Sequence, residues 1–258
     1  MPKDQVINVQ NVQVQVRLDT IAPLGRVGLL ALATDFNSEQ DLRRIFPAGI
    51  EIFTNRIKYT NPTTTDNLRA MAGDLTRAAE GILPELGVDA MIYGCTAGTI
   101  AIGTQSIKEL IHAAWPGIPV TNPVVAVQAA LDNFSARKIS VLTPYIEEVN
   151  DNMGRYFVAQ GYDLLNIAGL GFESDIEMTS ISPETIYQAA LEVCDKRADA
   201  LFISCTALRS SLVIERIEKD LGKPVITSNQ ALVWHTLELL NCPQEVQGFG
   251  SLFRRRIN

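Results

Sequence analysis

Asp89-Ala-Met-Ile-Tyr-Gly-Cys95-Thr-Ala97 and Asp199-Ala-Leu-Phe-Ile-Ser-Cys205-Thr-Ala207 are one phrase written twice, 110 positions apart. In each copy an aspartate opens a short apolar run of strand length, a small residue ends it, and a Cys-Thr pair follows. Downstream of each come a helix-like stretch, a Pro-Val strand (Pro119-Val120, Pro224-Val225), an asparagine (Asn122, Asn229) and another helix-like stretch. A repeated strand, Cys-Thr, helix unit predicts two similar lobes related by a pseudo-twofold axis. In open parallel sheets, ligands bind beyond the carboxyl ends of the strands. Both Cys-Thr pairs fall at such ends, so the two thiols are expected to face one another across a cleft.

The rest of the chain alternates in the same way. Strand-like runs occur at Val27–Ala33, Ile50–Ile57, Ala90–Gly94, Val120–Asn122, Ile139–Thr143, Leu164–Leu170, Ala200–Ser204 and Val225–Ser228. Strands separated by helical patterns define an α/β fold with parallel sheets, here as two Rossmann-like lobes. Leu68, Met71, Leu75, Ala79 and Ile82 recur at three- and four-residue steps and predict one buried helix face. Ser182-Pro183 marks a helix start, since serine caps and proline suits the first turn; Ile186, Ala190 and Val193 continue that helix. The expected division is an N-terminal arm over 1–20, a first lobe over 21–122 completed by 227–258, and a second lobe over 123–226.

With 258 residues, 47% of them hydrophobic and 20% charged, the chain has enough apolar material for a large core. A net charge of −7 gives no support to nucleic-acid or anionic-membrane binding, although it leaves room for a small acidic ligand. No apolar run reaches membrane-spanning length, and the arm carries no signal-type apolar core, so a cytoplasmic protein is expected. The four cysteines are far apart, without CxxC or Cys/His ligand spacing, and read as reduced thiols. Two histidines, His112 and His235, are too few for most metal sites or triads. Gly169-Leu-Gly171 is a bare GxG without the remainder of a dinucleotide fingerprint, and no P-loop occurs. The tail Arg254-Arg255-Arg256 reads as a solvated end.

These observations direct attention to Cys95 and Cys205. A thiol between a strand end and a helix start lies near unpaired N–H groups and the positive end of the helix dipole, which favour thiolate. The same N–H groups, with the hydroxyls of Thr96, Thr99 and Thr206, suit a carboxylate. Two such thiols can handle a small carboxylic acid without a cofactor, one attacking or taking a proton and the other supplying one. A buried cysteine is more often an inert small hydrophobe, and Cys194, on a helix's apolar face, and Cys242, beside Pro243, are read so. The matched contexts set Cys95 and Cys205 apart.

At these residues the chain resembles the aspartate/glutamate racemase superfamily, within it the maleate isomerase and arylmalonate decarboxylase branch. The likeness runs from about Gly25 onward through Gly28–Asp35, Gly94-Cys-Thr-Ala97, Val141-Leu-Thr-Pro-Tyr145, Ser204-Cys-Thr206 and Ser228-Asn-Gln-Ala-Leu-Val-Trp-His235. The segment Tyr59-Thr-Asn-Pro-Thr-Thr-Thr-Asp-Asn-Leu-Arg-Ala-Met71 looks most like the ectoine-utilisation proteins of that branch. The resemblance implies a site between two lobes, no cofactor, Cys95 and Cys205 as the catalytic pair, and a homo-oligomer. It also implies that Thr96, Ala97, Tyr145 and Thr206 hold the substrate, with Ser174 or Asp175 as a further polar contact. Asn229 and His235 lie in a family motif but read as a helix cap and a satisfied core histidine.

Two departures shape the expected substrate. Decarboxylases of the branch lack the first cysteine, which this chain has. Maleate isomerases carry Pro-Ser-Ser-Asn after the first strand, where this chain reads Leu32-Ala-Thr-Asp35. A carboxylate there repels a dicarboxylate and attracts an ammonium group; as a structural residue, Asp35 would cap a loop or helix. The expectation is therefore a racemase or epimerase of a small amino-acid-like carboxylate, associated with ectoine catabolism. Maleate cis–trans isomerisation, arylmalonate-type decarboxylation and non-catalytic carboxylate binding are the alternatives, and a dithiol redox protein is disfavoured by the absence of CxxC.

Overall fold

The computed structural model describes residues 9–254. Eight strands carry the architecture: β1 Gly25–Leu32, β2 Ile50–Ile57, β3 Ala90–Tyr93, β4 Val120–Thr121, β5 Lys138–Tyr145, β6 Asp163–Phe172, β7 Ala200–Ile203 and β8 Val225–Thr227. All eight sequence-predicted strands are present, each within about two residues of its expected ends. They form two all-parallel sheets, one ordered β2-β1-β3-β4 and the other β6-β5-β7-β8. The same order in both halves is the repeat of the sequence seen in space.

Parallel strands need crossovers, which the helices supply: α1 Ser38–Ile45, α2 Thr65–Ala70, α3 Leu75–Glu80, α4 Thr96–Ile102, α5 Thr104–Ala114, α6 Pro123–Asn133, α7 Glu147–Ala159, α8 Asp175–Ser180, α9 Pro183–Val193, α10 Ile214–Leu221 and α11 Ser228–Leu239. With helices on their faces, the short inner strands are buried throughout: Ala90–Tyr93 and Ala200–Ile203 expose nothing. Phe157, Tyr162 and Phe202 meet edge to face at 5.7 Å in the second core. In the first half, α11 packs against α1 and α6.

Helix starts follow their caps. Ser182 accepts from the Thr185 N–H ahead of Pro183, as its sequence predicts. Asn122 does the same for α6, accepting from Val125 ahead of Pro123. Asn229 does not cap α11: Thr227 does, in a capping box with Gln230, and the Asn229 side chain is used elsewhere. The continuous helix expected over Leu68–Ile82 is also interrupted. Its apolar residues are all buried, but Met71–Asp74 tightens into a 3-10 turn between α2 and α3. Gly73 weakens helix there, and the Asp74 carboxylate accepts from the Lys58 N–H and pairs with Arg77 at 2.6 Å.

Each sheet reverses its strand order between its first and third strand, β1/β3 and β5/β7, the position where open α/β sheets form a crevice. Cys95 follows β3 and Cys205 follows β7. Thr34 and Asp35 follow β1, and Tyr145 ends β5. Of the predicted N-terminal arm, residues 9–20 form no helix or strand, and 1–8 lie outside the described residues, as do the last two arginines of the tail.

Candidate active site

Cys95 and Cys205 line one cavity of about 30 Å3, together with Asp35, Tyr59, Tyr145 and Asp175 among others. That volume is room for about two waters, and both cysteines are almost fully buried, at 7% and 6% exposure. Of the other residues expected to contact substrate, Ala97 and Thr206 also line the cavity. Thr96 and Ser174 do not. Thr96 is wholly buried with its hydroxyl 2.9 Å from that of Ser228, so it faces away into the protein. Ser174 ends the loop before α8, and its neighbour Asp175 reaches the cavity instead.

The two thiols are held by different local structures. Cys95 is the N-cap of α4, and its Sγ accepts from the Gly98 N–H at 3.2 Å. Gly98 is required: a Cβ there would lie 2.3 Å from the Tyr93 hydroxyl and 3.0 Å from the Cys95 sulfur. Cys205 is followed by a turn and a 3-10 segment, not by the helix its sequence predicts. Its φ of +100° lies in a region that non-glycine residues rarely adopt. The Tyr145 hydroxyl and the N–H groups of Ala207 and Leu208 lie near enough to its sulfur to lower its pKa.

A dense polar clamp holds the strained turn. The Cys205 N–H donates to Ser228 Oγ at 3.1 Å. The Thr206 carbonyl accepts from Asn229 Nδ2 at 2.9 Å and Asn37 Nδ2 at 3.0 Å, and Asn37 also donates to the Leu208 carbonyl. Asn229 is oriented by Asp41, a fully buried carboxylate that also takes the Ser211 hydroxyl and pairs with Arg44. From the other side, Thr206 Oγ1 donates to the Gly94 carbonyl at 3.1 Å, tying the two cysteine loops directly.

Asp35 and Asp175 bring carboxylates to the lining. Asp35 binds the start of α1, accepting from the N–H groups of Asn37 and Ser38 at 2.8 and 2.9 Å and from the Ser38 hydroxyl. Burial raises its pKa despite those bonds. Asp175 accepts from Thr34 and from Asn61 Nδ2 at 2.8 Å, linking the ends of β1 and β2 to α8. Tyr59, whose hydroxyl donates to Thr63 at 2.8 Å, completes the polar lining. Sequence reasoning assigned no role to Tyr59 or Thr63 individually. Both sit in the Tyr59–Met71 segment that carries the family likeness, which was the available signal.

No Lys, Arg or His lines this cavity, and among the described residues no group of three or more His, Cys, Asp or Glu is placed to hold a metal. His235 is the satisfied histidine expected, its Nδ1 2.8 Å from Thr121 Oγ1 and its pKa lowered by burial. Cys194 is half-buried at the end of α9 and Cys242 is buried; neither reaches the cavity.

The neighbouring N–H groups lower both thiol pKa values, as expected, but burial outweighs them. Burial raises Cys95 strongly, against the single Gly98 hydrogen bond, and the neighbouring Cys205, Asp35 and Asp175 add to the rise. Burial also raises Cys205, but its three donors hold it to about 11. Both are neutral thiols at pH 7 in the empty cavity, with Cys205 the readier to ionise.

A cavity at matched strand ends of two parallel lobes, lined by two non-equivalent thiols, is the site this fold presents. The family model for arylmalonate decarboxylase matches residues 79–253, more than half of the chain, and the chain belongs to that family. It is similar to the maleate isomerase of Nocardia farcinica, 22% identical over 89% of this chain and 96% of that one. It is also similar to the arylmalonate decarboxylase of Bordetella bronchiseptica, 24% identical over 69% and 73%. Among solved structures it matches Pseudomonas putida maleate isomerase with maleate at a TM-score of 0.82, 20% identity and coverage of 88% and 96%. A cysteine-to-serine mutant of the Nocardia farcinica enzyme, holding a covalently bound succinylcysteine intermediate, matches at 0.81, 21% identity and coverage of 89% and 98%. The chain thus belongs to the arylmalonate decarboxylase family and shares its two-lobed fold with maleate isomerases.

The raised thiol pKa values set an alkaline limit on stability. A thiol whose folded pKa exceeds its unfolded value binds more protons folded than unfolded, so stability is complete below about pH 8.5, the free thiol value, and falls as pH rises toward 11 and beyond. Urea unfolding midpoints should decline from pH 8.5 to 11 in the parent. Cys205→Ser should flatten part of that decline, and an identical slope in both would remove the thiol as its source.

Proposed function

We propose that the chain racemises or epimerises a small amino-acid-like carboxylate by two-cysteine proton transfer. The observation that carries this reading is the charge of the lining: two carboxylates, two thiols and no cation. A thiol held at about 11 is ionised in about one molecule in ten thousand at pH 7. The site therefore needs a positive charge to generate thiolate, and a substrate ammonium supplies it, next to Asp35 and Asp175. A plain dicarboxylate would add two negative charges to the same space. The Tyr59–Met71 likeness supports an acid of ectoine catabolism as this substrate.

In the reaction, Cys205 as thiolate removes the α-proton, since Tyr145 and the Ala207 and Leu208 N–H groups support its charge. The electron pair left on carbon delocalises into the substrate carboxylate. The Cys95 thiol then delivers its proton to the opposite face, leaving Cys95 as thiolate, and the reverse direction exchanges the roles. Maleate cis–trans isomerisation is the second reading, favoured by the whole-length similarity to maleate isomerases. There a thiolate adds to the alkene carbon, the new single bond rotates, and elimination restores the thiolate.

Deuterium distinguishes the two readings. In deuterated buffer, proton transfer at carbon puts deuterium at the substrate α-position. Cys95→Ser and Cys205→Ser should each reduce turnover at least about a thousandfold while circular dichroism stays parental, because the pair acts as a unit. A folded Cys95→Ser protein with near-parental turnover would instead indicate one-cysteine, decarboxylase-like chemistry.

Asp35→Asn tests the charge argument while keeping an oxygen for the α1 N–H groups. It should raise KM for an ammonium-bearing substrate about tenfold and relatively favour a dicarboxylate, the loss of one favourable charge contact. Equal kinetics for both classes in variant and parent would remove the reason for preferring amino acids.

We also propose that the chain is a homo-oligomer. Val12, Val14, Val16 and Leu18 alternate with polar residues, the pattern of one apolar face on an extended strand, and are 65–94% exposed. Sedimentation of the full chain should give a multiple of the 28.3 kDa monomer mass. Removing 1–20 should reduce it to the monomer, and a monomeric full chain would refute the proposal.

A further inference from the structure

Leu68 stands between two cavities. On one side it lines the 30 Å3 space of the two thiols. On the other it lines a groove of about 300 Å3 that includes Arg69, Ile100, Val149, Met153 and Arg155. Ala97, two residues from Cys95, is the other residue common to both. The groove therefore begins one side chain away from the reacting space, although Leu68 is itself 2% exposed.

Both lobes hold that side chain in place. Helix α2 packs on α4 of the first lobe. At its start, Thr65 donates to Glu148 and accepts from Asn152 Nδ2 at 3.0 Å, both on α7 of the second lobe. Just upstream, the Thr63 N–H donates to the Glu173 carbonyl at 2.7 Å. Leu68 is thus fixed as a wall by contacts that cross the cleft.

The groove behind the wall has a definite chemistry. Its sides are mostly apolar, with Thr65, Asn152 and Tyr156 among them, and the exposed Arg69 and Arg155 also line it. Each arginine pairs with an aspartate about one turn away, Asp66 at 3.9 Å and Asp151 at 3.2 Å, in exposed arrangements. Exposed pairs of this kind are weak and leave guanidinium donors available. A mostly apolar trough lined also by two guanidinium groups suits a flexible carbon chain with a terminal carboxylate.

We propose that Leu68 is a specificity-determining residue that holds the thiol cavity to a short carboxylate and closes it off from a groove fitted to the carboxylate-ended tail of a longer one. This rests on the reading of Cys95 and Cys205 as the reacting groups, and it goes beyond that reading in naming what sets substrate length. The prediction is that shortening Leu68 joins the two spaces and admits acids extended by several carbons.

The test uses alkylation, so it does not depend on knowing the substrate. With an α-bromo acid, thiolate sulfur bonds to the α-carbon as bromide leaves with the bonding pair. The reduced full chain is treated at pH 9, where about one Cys205 in a hundred is ionised without any substrate cation, with 2-bromopropanoate or with 2-bromohexanedioate, and labelling of Cys95 and Cys205 is followed by peptide mass mapping. The parent should prefer the short reagent, and Leu68→Ala should shift the rate ratio toward the long one at least about tenfold, the scale of opening a pocket by a few methylene groups. Adding Arg69→Gln and Arg155→Gln should remove the gain for 2-bromohexanedioate but keep it for 2-bromohexanoate, whose tail is uncharged. Leu68→Val, one methylene shorter, should move the ratio in the same direction if Leu68→Ala fails to fold. An unchanged ratio in a folded variant would overturn the proposal, and so would equal acceleration of both reagents, which would make Leu68 a gate and not a ruler. If no substrate is ever turned over but the ratio shifts, the length assignment survives and the isomerase reading fails; turnover with an unshifted ratio gives the reverse.

Discussion

Thr206 is the point at which the two halves of the molecule become one site. Its hydroxyl donates to Gly94 beside Cys95, and its carbonyl accepts from Asn37 and Asn229 beside Cys205. The relative position of the thiols is therefore set by direct hydrogen bonds between their own loops. Asn37 and Asn229 are in turn fixed at the starts of α1 and α11, and Asp41 locks the Asn229 amide. A buried carboxylate is costly unless well bonded, and Asp41 is bonded to Ser211, Asn229 and Arg44. This network holds Cys205 at a backbone angle it would not adopt alone.

Burial and reactivity oppose each other in this cavity. Taking both thiols out of water protects them, but it also raises their pKa values by more than the local N–H groups can offset. An acidic lining increases the effect. In the proposed reaction, a positively charged substrate offsets this rise.

Much of this could be read from sequence because it depends on local pattern. The duplicated Asp89–Ala97 and Asp199–Ala207 phrases locate both inner strands and both cysteines, since a buried parallel strand must be a short apolar run. The features that were not legible depend on long-range contacts. Thr96 looked like a substrate ligand from its place beside Cys95, but a hydroxyl more than a hundred residues away, on Ser228, holds it. Ser174 and Asp175 are neighbours, and only the path of the loop before α8 decides which one reaches the cavity. The spacing from Leu68 to Ile82 describes a buried face correctly and the helix incorrectly, because Asp74 is recruited by Lys58 and Arg77. Asp35 shows both sides: its carboxylate caps α1 and also lines the cavity, two roles that sequence reasoning had set against each other.

A duplicated scaffold would by itself present two equivalent cysteines, yet the two halves have diverged immediately after their matched strands. The first runs straight into α4, and Cys95 receives one N–H from it. The second breaks into a turn, and Cys205 gathers two N–H groups and a tyrosine hydroxyl. The strand ends beside them differ in the same sense, with Thr34-Asp35 in one lobe and Tyr145 in the other. Symmetry of the sheets brings a sulfur from each half to one cavity, while asymmetry of the loops gives the two thiols different neighbours. The proposed removal of a proton from one face and its return to the other calls for both features at once, and a single repeated unit supplies them.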